Sequence, residues 1–275
     1  MSQTGEITSL SNVQVKYIKT LQNKASFRKK EGLFVVEGIK IFLEIPEKFI
    51  KTIYVSDKTL LELKNEKGFT EEIREKTREK LNRMPYIKIS DDVAKNISDT
   101  VTPQGVFVVV HNLKYCLKDI INIEEKQIFL VLDELKDPGN MGTIIRTAEG
   151  AGISAIIMNS KCVDVYNPKV TRSTMGSIFR VPFIIEENIS ESINLLKKNG
   201  VVTYGAHLNG SEYYDEKNLS GSVAIFIGNE AKGLSKEISM MADRLIKIPM
   251  EGQLESLNAS VAAAILMYEA KRKNS

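Results

Sequence analysis

Two cysteines, Cys116 and Cys162, and two histidines, His111 and His207, are all that 275 residues supply of either type. Cysteines so far apart fit neither a disulfide framework nor a metal-ligand spacing, so no metal is expected and a reducing compartment is the default. Two histidines leave a Cys–His or Ser–His–Asp nucleophilic enzyme poorly supplied. His207 follows an apolar run, and packing explains it as readily as a cleft does. No Gly-x-Gly-x-x-Gly follows any candidate strand, and Gly150-Ala151-Gly152 sits where a helix would end. A dinucleotide-binding fingerprint is therefore missing, and so is the lysine-containing phosphate loop of an NTPase. No apolar run approaches a membrane span, and the first ten residues are polar, with no apolar signal core. A soluble cytoplasmic protein is expected. Internal repeats and low-complexity tracts are absent.

What remains is long enough for a well-buried core and two domains. The formal net charge of +3 is too small to identify a nucleic-acid partner, so the distribution of charge carries more information than its total. Residues 1–110 alternate helix-like and strand-like segments. Ser11 can cap a helix with an apolar stripe through Val13, Tyr17 and Leu21, and 33–36, 53–55, 86–89 and 106–110 are strand candidates. The charged run 66–83 has the composition of a solvated helix face. Residues 111–126 lack a strong period and form a linker. From 127 to 275 the pattern changes to short continuous apolar runs, at 128–132, 155–158, 201–204, 223–227 and 245–248, mostly separated by helix-length segments. That is the pattern of a mostly parallel sheet with helices on both faces. A closing helix over 257–271 places Val261, Ile265 and Tyr268 on one side. Its small residues Ala259, Ala262, Ala263 and Ala264 leave room for another helix to approach.

Three of the strand ends are followed by polar, glycine-containing turns, at the edge where open α/β sheets bind ligands. The first is Asp137-Pro138-Gly139-Asn140-Met141-Gly142, with Arg146 in the next helical turn. The second is Gly228-Asn229-Glu230-Ala231-Lys232-Gly233-Leu234-Ser235. The third runs from Ile248-Pro249-Met250 to Ser256-Leu257-Asn258. Each has an ordinary explanation. Asp-Pro-Gly-Asn is a good generic turn, Ser235 is a helix N-cap, and Ser256 or Asn258 can cap the last helix. Those explanations leave Arg146, Gly228 and Glu230 unassigned. Arg146, at i+4 from Gly142 and i+3 from Thr143, shares their helical face.

In order and wording the three turns resemble the motifs of the SpoU/TrmH family of RNA ribose 2′-O-methyltransferases, within the SPOUT superfamily. Asn140-Met141-Gly142-Thr143-Ile144-Ile145-Arg146 matches its Asn-x-Gly-x-x-x-Arg, and 228–235 matches Gly-x-Glu-x-x-Gly-Leu-Ser at every defined position. The resemblance implies S-adenosylmethionine as methyl donor, a C-terminal deep trefoil knot and a homodimer through the C-terminal domain. It implies cofactor contacts from Ala206, Gly228, Ile248, Met250 and Leu257, with Gly228 letting backbone approach the ligand. A site without lysines would spare the sulfonium a like charge. Arg146 would engage the target ribose, Asn140, Ser256 and Asn258 would orient it, and Glu230 would fix the architecture of the site or dimer. A weaker resemblance at 23–38 implies that 1–110 is the small α/β substrate-binding domain of many members. There Lys24, Arg28, Lys29 and Lys30 beside Phe27 form a basic patch that can meet RNA phosphates or simply be a solvated helix end. The expected activity is ribose methylation of structured RNA, ribosomal RNA favoured. A transfer RNA methyltransferase and a non-catalytic RNA-binding assembly factor are the alternatives.

Overall fold

Short apolar runs alternate with capped, charged segments through the first third of the chain, and they fold as strands and helices respectively. The structure, a computed structural model, describes every residue except 1–2, 66–67, 209, 211, 215–218 and 252–255. The elements of this region are β1 (Gln3–Ile7), α1 (Val13–Asn23), α2 (Ala25–Glu31), β2 (Leu33–Glu37), α3 (Ile39–Glu44), β3 (Ile50–Ser56), α4 (Asp57–Lys64), α5 (Glu71–Arg83), β4 (Tyr86–Ile89), α6 (Asp91–Ile97) and β5 (Val106–His111). The strands form one mixed sheet in the order β1-β4-β3-β5-β2. Ser56, Thr70 and Ser90 cap α4, α5 and α6 by accepting a backbone N–H, and each is followed by acidic residues that favour the helix N-terminus. In α1 the cap is Asn12, and the inward stripe is Val15, Ile18, Leu21 and Gln22. Val13, expected in that stripe, is 77% exposed, because Val15 and Ile18 give the more continuous apolar line with Leu21.

Two cations in this region are buried rather than solvated. Lys80, inside the charged run, donates to the carbonyls of Phe42 (2.8 Å), Leu43 (3.3 Å) and Ile45 (2.6 Å). It thereby satisfies acceptors that the end of α3 leaves open. Arg28 does the same for α1, donating to Leu21 O (2.6 Å) and Gln22 O (2.7 Å).

The rest of the chain supplies α7 (Leu117–Ile120), β6 (Ile128–Leu132), α8 (Pro138–Ala151), β7 (Ala155–Asn159), α9 (Pro168–Ser173), β8 (Phe183–Glu186), α10 (Ser190–Lys198), β9 (Val202–Ala206), β10 (Glu212–Tyr213), β11 (Val223–Ile227), α11 (Lys236–Met241), β12 (Arg244–Lys247) and α12 (Ala259–Asn274). Seven strands form a sheet in the order β10-β12-β9-β11-β6-β7-β8, and every pairing in it is parallel. Every residue of β6, β7 and β11 is buried, as continuous apolar runs covered on both faces require. One layer packs Phe129, Val131, Ile157, Ala224 and Phe226 against α7, α10 and α11. On the other, α12 packs on α8, β6 and β11. The small residues of α12 thus admit a helix of the same chain, with Ala259, Ala263, Leu266, Met267 and Ala270 buried. Val261 (47% exposed) and Tyr268 (49%) face outward.

By packing the chain forms two units, Met1–Leu113 with Tyr166–Phe179, and Lys114–Val165 with Arg180–Ser275. The stretch 166–179 lies within the residues expected for the C-terminal domain, yet it belongs to the first unit. The Phe34 ring meets those of Tyr166 (4.5 Å) and Phe179 (6.3 Å), and the Tyr166 hydroxyl bonds both N–H and C=O of Leu113. Aromatic packing inside a unit is invisible to a reading by strand order. Among the described residues no helix is long and apolar enough to cross a membrane.

Lys80→Met removes three hydrogen bonds while keeping most of the apolar stem. We expect about 1–3 kcal/mol lower stability from the stranded carbonyls, read as a lower urea midpoint. An unchanged midpoint would remove Lys80 from the account of α3.

Candidate active site

All three sequence-marked turns emerge at the carboxyl edge of the parallel sheet, because β6, β11 and β12 run in the same direction. The first turn leaves β6 and enters α8 through a well-formed cap. Asp137 accepts the Asn140 N–H (2.8 Å), and Pro138 occupies the first helical position, where no N–H is needed. Asn140 itself is buried within the first turn of α8.

The second turn closes on itself. Asn229 and Gly233 exchange backbone hydrogen bonds (2.9 and 2.8 Å), and the Asn229 side chain accepts the N–H groups of Ala231 and Lys232. A Cβ on Gly228 would lie 2.1 Å from the Gly233 carbonyl carbon. Gly228 is therefore required by the approach of its own loop, whereas the sequence pattern assigned its freedom to a ligand. A side chain there would deform the turn before it met any cofactor.

Glu230 joins the second turn to the first. Its carboxylate accepts the backbone N–H groups of Lys136 (3.2 Å) and Asp137 (2.9 Å) and the side-chain amide of Asn140 (3.1 Å). Partial burial alone would push this carboxyl up. The hydrogen bonds from Asp137, its own amide, Asn140 and Lys136 outweigh it and hold the pKa below the ordinary value. The network continues to the third turn. Asn258 donates to Asn140 Oδ1 (2.9 Å) and caps α12 by accepting from Ser260 and Val261. The middle of the third turn, 252–255, lies outside the described residues.

Below the turns, the buried Asp133 accepts the Ser235 N–H (2.8 Å) and the Asn159 amide (2.7 Å), tying the ends of β6, β7 and the second turn together. Glu134 follows with a left-handed φ of 56°, unusual for a residue with a Cβ. Its carbonyl accepts Asn229 Nδ2 (2.9 Å). None of Asp133, Glu134, Asn159 or Asn229 was singled out from sequence. Asp137 had a signal, an acidic residue directly before a helix-opening proline.

Between the second and third turns lies a cleft of about 380 Å³, within the range of small-molecule sites. Ala206, Gly228, Ile248, Met250 and Leu257, the five expected cofactor residues, all line it, together with Glu230, Ser256 and His207. Its walls combine backbone of the turns with apolar side chains of Ile227, Ile246, Ile248 and Leu257. Backbone amides and carbonyls can read an adenine edge while the aliphatic walls cover its faces, so the lining fits the implied cofactor. The expectation of a lysine-free site is not met. Lys232 and Lys247 contribute to the walls, and the Lys247 ammonium sits 4.8 Å above the Tyr213 ring.

The remaining expected residues lie elsewhere. Arg146 is exposed on α8, has no ion pair among the described residues, and does not line the cleft. In the first unit Lys24, Lys29 and Lys30 are exposed. Arg28 is not, and its guanidinium is taken up by the α1 carbonyls. The basic helix end therefore presents three cations and not four.

The chain resembles known proteins over nearly its whole length. Residues 127–268 match the model of the SpoU rRNA Methylase family, and residues 12–108 match the MRM3-like substrate binding domain. The chain is 32% identical over 265 residues to the 23S rRNA (guanosine(2553)-2′-O)-methyltransferase RlmP of Bacillus subtilis, covering 96% of this chain and 98% of that one. Among solved structures it resembles an AdoMet-bound rRNA methyltransferase from Sinorhizobium meliloti, with a TM-score of 0.83, 31% identity and 98% of both chains covered. It also resembles the SpoU methyltransferase AviRb of Streptomyces viridochromogenes in complex with AdoMet, with a TM-score of 0.81 and 26% identity over 95% of this chain and 98% of that one.

Glu230→Gln should keep the fold but put an amide N–H₂ against other donors. We expect exchange of the Lys136 and Asp137 amides to quicken by about ten- to a hundredfold, the effect of roughly 1–3 kcal/mol. Because the folded pKa is lowered, the stabilisation from Glu230 is present above the ordinary carboxylate pKa. It is lost as pH falls through the lowered value. Wild-type exchange rates in the variant would sink the bridging role.

Proposed function

The chain belongs to the SpoU rRNA Methylase family, and from that premise we propose that it methylates a ribose 2′-oxygen of RNA with S-adenosylmethionine as donor, ribosomal RNA being favoured over transfer RNA. One observation carries the reading: a single cleft at the sheet's carboxyl edge takes in all five expected cofactor residues and is tied by Glu230 and Asn140 to Asn258. When bound, S-adenosylmethionine supplies an electrophilic methyl group on a sulfonium.

The protein then has to position the hydroxyl and ease the loss of its proton. Arg146 is unsuited to act as a general base, since a guanidinium is a permanent cation with no lone pair to offer a proton. Its role is to hold the adjoining phosphate and stabilise the developing alkoxide, with the proton leaving to phosphate or water. That it has no ion pair among the described residues suits that role. Asn140 and Asn258, already hydrogen-bonded to each other, orient the ribose. Ser256 at the exposed rim of the cleft supplies a further hydroxyl. Glu230 holds the first turn in place. Lys24, Lys29 and Lys30 of the first unit contact RNA phosphates, and the match of that unit to a substrate-binding domain supports this.

The same reading takes the C-terminal unit as a deep trefoil knot, the compartment as the cytoplasm, and the working form as a homodimer packed through the C-terminal unit. The exposed Val261 and Tyr268 on α12, with the partly buried Ile265 between them, are the surface available for that contact, since Ala263 is already buried within its own chain. A two-fold interface uses one patch twice, so a change there counts double.

Arg146→Ala should retain cofactor affinity, because none of the cleft lining is altered, and lose methyl transfer by about 10²- to 10³-fold. Arg146→Lys should recover little, since one ammonium lacks the planar fork. Single-turnover assays with saturating RNA check this, and near wild-type transfer by Arg146→Ala would reject the assignment. Separately, the double change Val261→Glu and Tyr268→Glu should convert a dimer to monomers in analytical ultracentrifugation. A wild-type protein that sediments as a monomer at micromolar concentration would remove the dimer.

A further inference from the structure

Three lysines outside the residues assigned above converge at the carboxyl edge of the sheet. Lys136 leaves the β6 end, Lys161 follows β7, and Lys232 stands in the second turn. All three are exposed. They gather around one carboxylate. Lys161 Nζ is 2.7 Å from Glu134 Oε1, and Lys136 Nζ donates to the Lys161 carbonyl. The Lys232 N–H is bound by Asn229 (3.1 Å), whose amide in turn donates to the Glu134 carbonyl (2.9 Å).

The other acids nearby are already committed. Asp137 caps α8, and Glu230 accepts the first-turn amides. Lys161 pairs with Glu134 and also feels Asp133 and Glu237, whereas the ammonium groups of Lys136 and Lys232 have no ion pair among the described residues. The hydrogen bond from Lys161 holds the Glu134 carboxyl below the usual carboxylate range, and Lys136 and Lys232 act in the same direction. One lysine suffices to pair one glutamate, so that pairing does not occupy Lys136 or Lys232. Lys232 also lines the cleft, so the cluster adjoins the cofactor residues directly.

We propose that Lys136, Lys161 and Lys232 form a phosphate-binding site that seats the RNA backbone beside the cleft, distinct from the basic helix end of the first unit. The proposal rests on the methyltransferase reading. Glu134 holds Lys161 in an ion pair that a bound phosphate would compete for. Its left-handed backbone turns the chain so that the lysine-bearing segments meet.

Filter binding of an unmodified 23S ribosomal RNA transcript across a salt series tests this, with calorimetric titration of S-adenosylmethionine on each variant. The double variant Lys136→Gln/Lys161→Gln should lower the slope of log affinity against log salt by about one and leave cofactor affinity at wild type, since neither residue lines the cleft. Adding Lys232→Gln should lower the slope by about one more. Glu134→Gln should act oppositely and tighten RNA binding severalfold at fixed salt. A matched loss of charge ahead of β6, Lys118→Gln/Lys126→Gln, should leave the slope unchanged. If the edge lysines behave like that control while the wild type binds S-adenosylmethionine, the phosphate site is wrong and the methyltransferase reading stands. If the wild type binds no S-adenosylmethionine, both fall.

Discussion

The carboxylate of Glu230 is what the rest of the site depends on. The peptide N–H groups of Lys136 and Asp137, in the exposed turn that follows β6, need an acceptor. Glu230 meets that need from 93 residues further along the chain, and in doing so it fixes the distance between the first and second turns. Asn140 is held by the same oxygen and passes the constraint to Asn258, and so to the start of α12. A parallel sheet brings strand ends to one edge but leaves the turns free to splay. The side-chain bridges Glu230–Asn140–Asn258 and Asp133–Ser235 are what make those turns into a single surface.

Much of this was legible in the sequence, for identifiable reasons. Continuous apolar runs such as 128–132 and 223–227 have one good solution, a strand buried on both faces, and the parallel sheet follows from the helices between them. The three turns were legible because they carry residues that a turn alone does not need, above all Gly228 and Glu230. Less visible was anything set by partners distant in sequence. Arg28 and Lys80 have the composition of solvated cations, and only the position of a helix end beside each makes them internal. β10 spans only two residues, and β8 holds only three apolar residues before Glu186. Gly228 stands out in the sequence, and the structure gives it a different reason. The tight approach is within its own loop, which sequence spacing cannot separate from an approach to a ligand.

The protein uses positive charge in two physically distinct ways, and the difference is a matter of what each head group touches. Arg28 and Lys80 are aimed at carbonyl oxygens inside the first unit, where they substitute for missing helix hydrogen bonds and are lost to any external partner. Lys24, Lys29, Lys30 and the edge lysines lie in water, where a phosphate can displace solvent at little cost. A net charge of +3 conceals this division entirely.

The short stretch 166–179 bears on how the gene can be cut. The chain passes between the two units at 113, 165 and 179, so the first unit is not a contiguous segment. A fragment ending at Leu113 would leave Phe34 without the rings of Tyr166 and Phe179, and the Leu113 peptide without its hydroxyl partner. Exchanging substrate-recognition units between relatives by a single splice would therefore separate a core from one of its own walls. A chimera that carries 166–179 from the same parent as 1–113 keeps that wall, which makes recombination at two places, rather than one, the natural unit of inheritance for this half of the molecule.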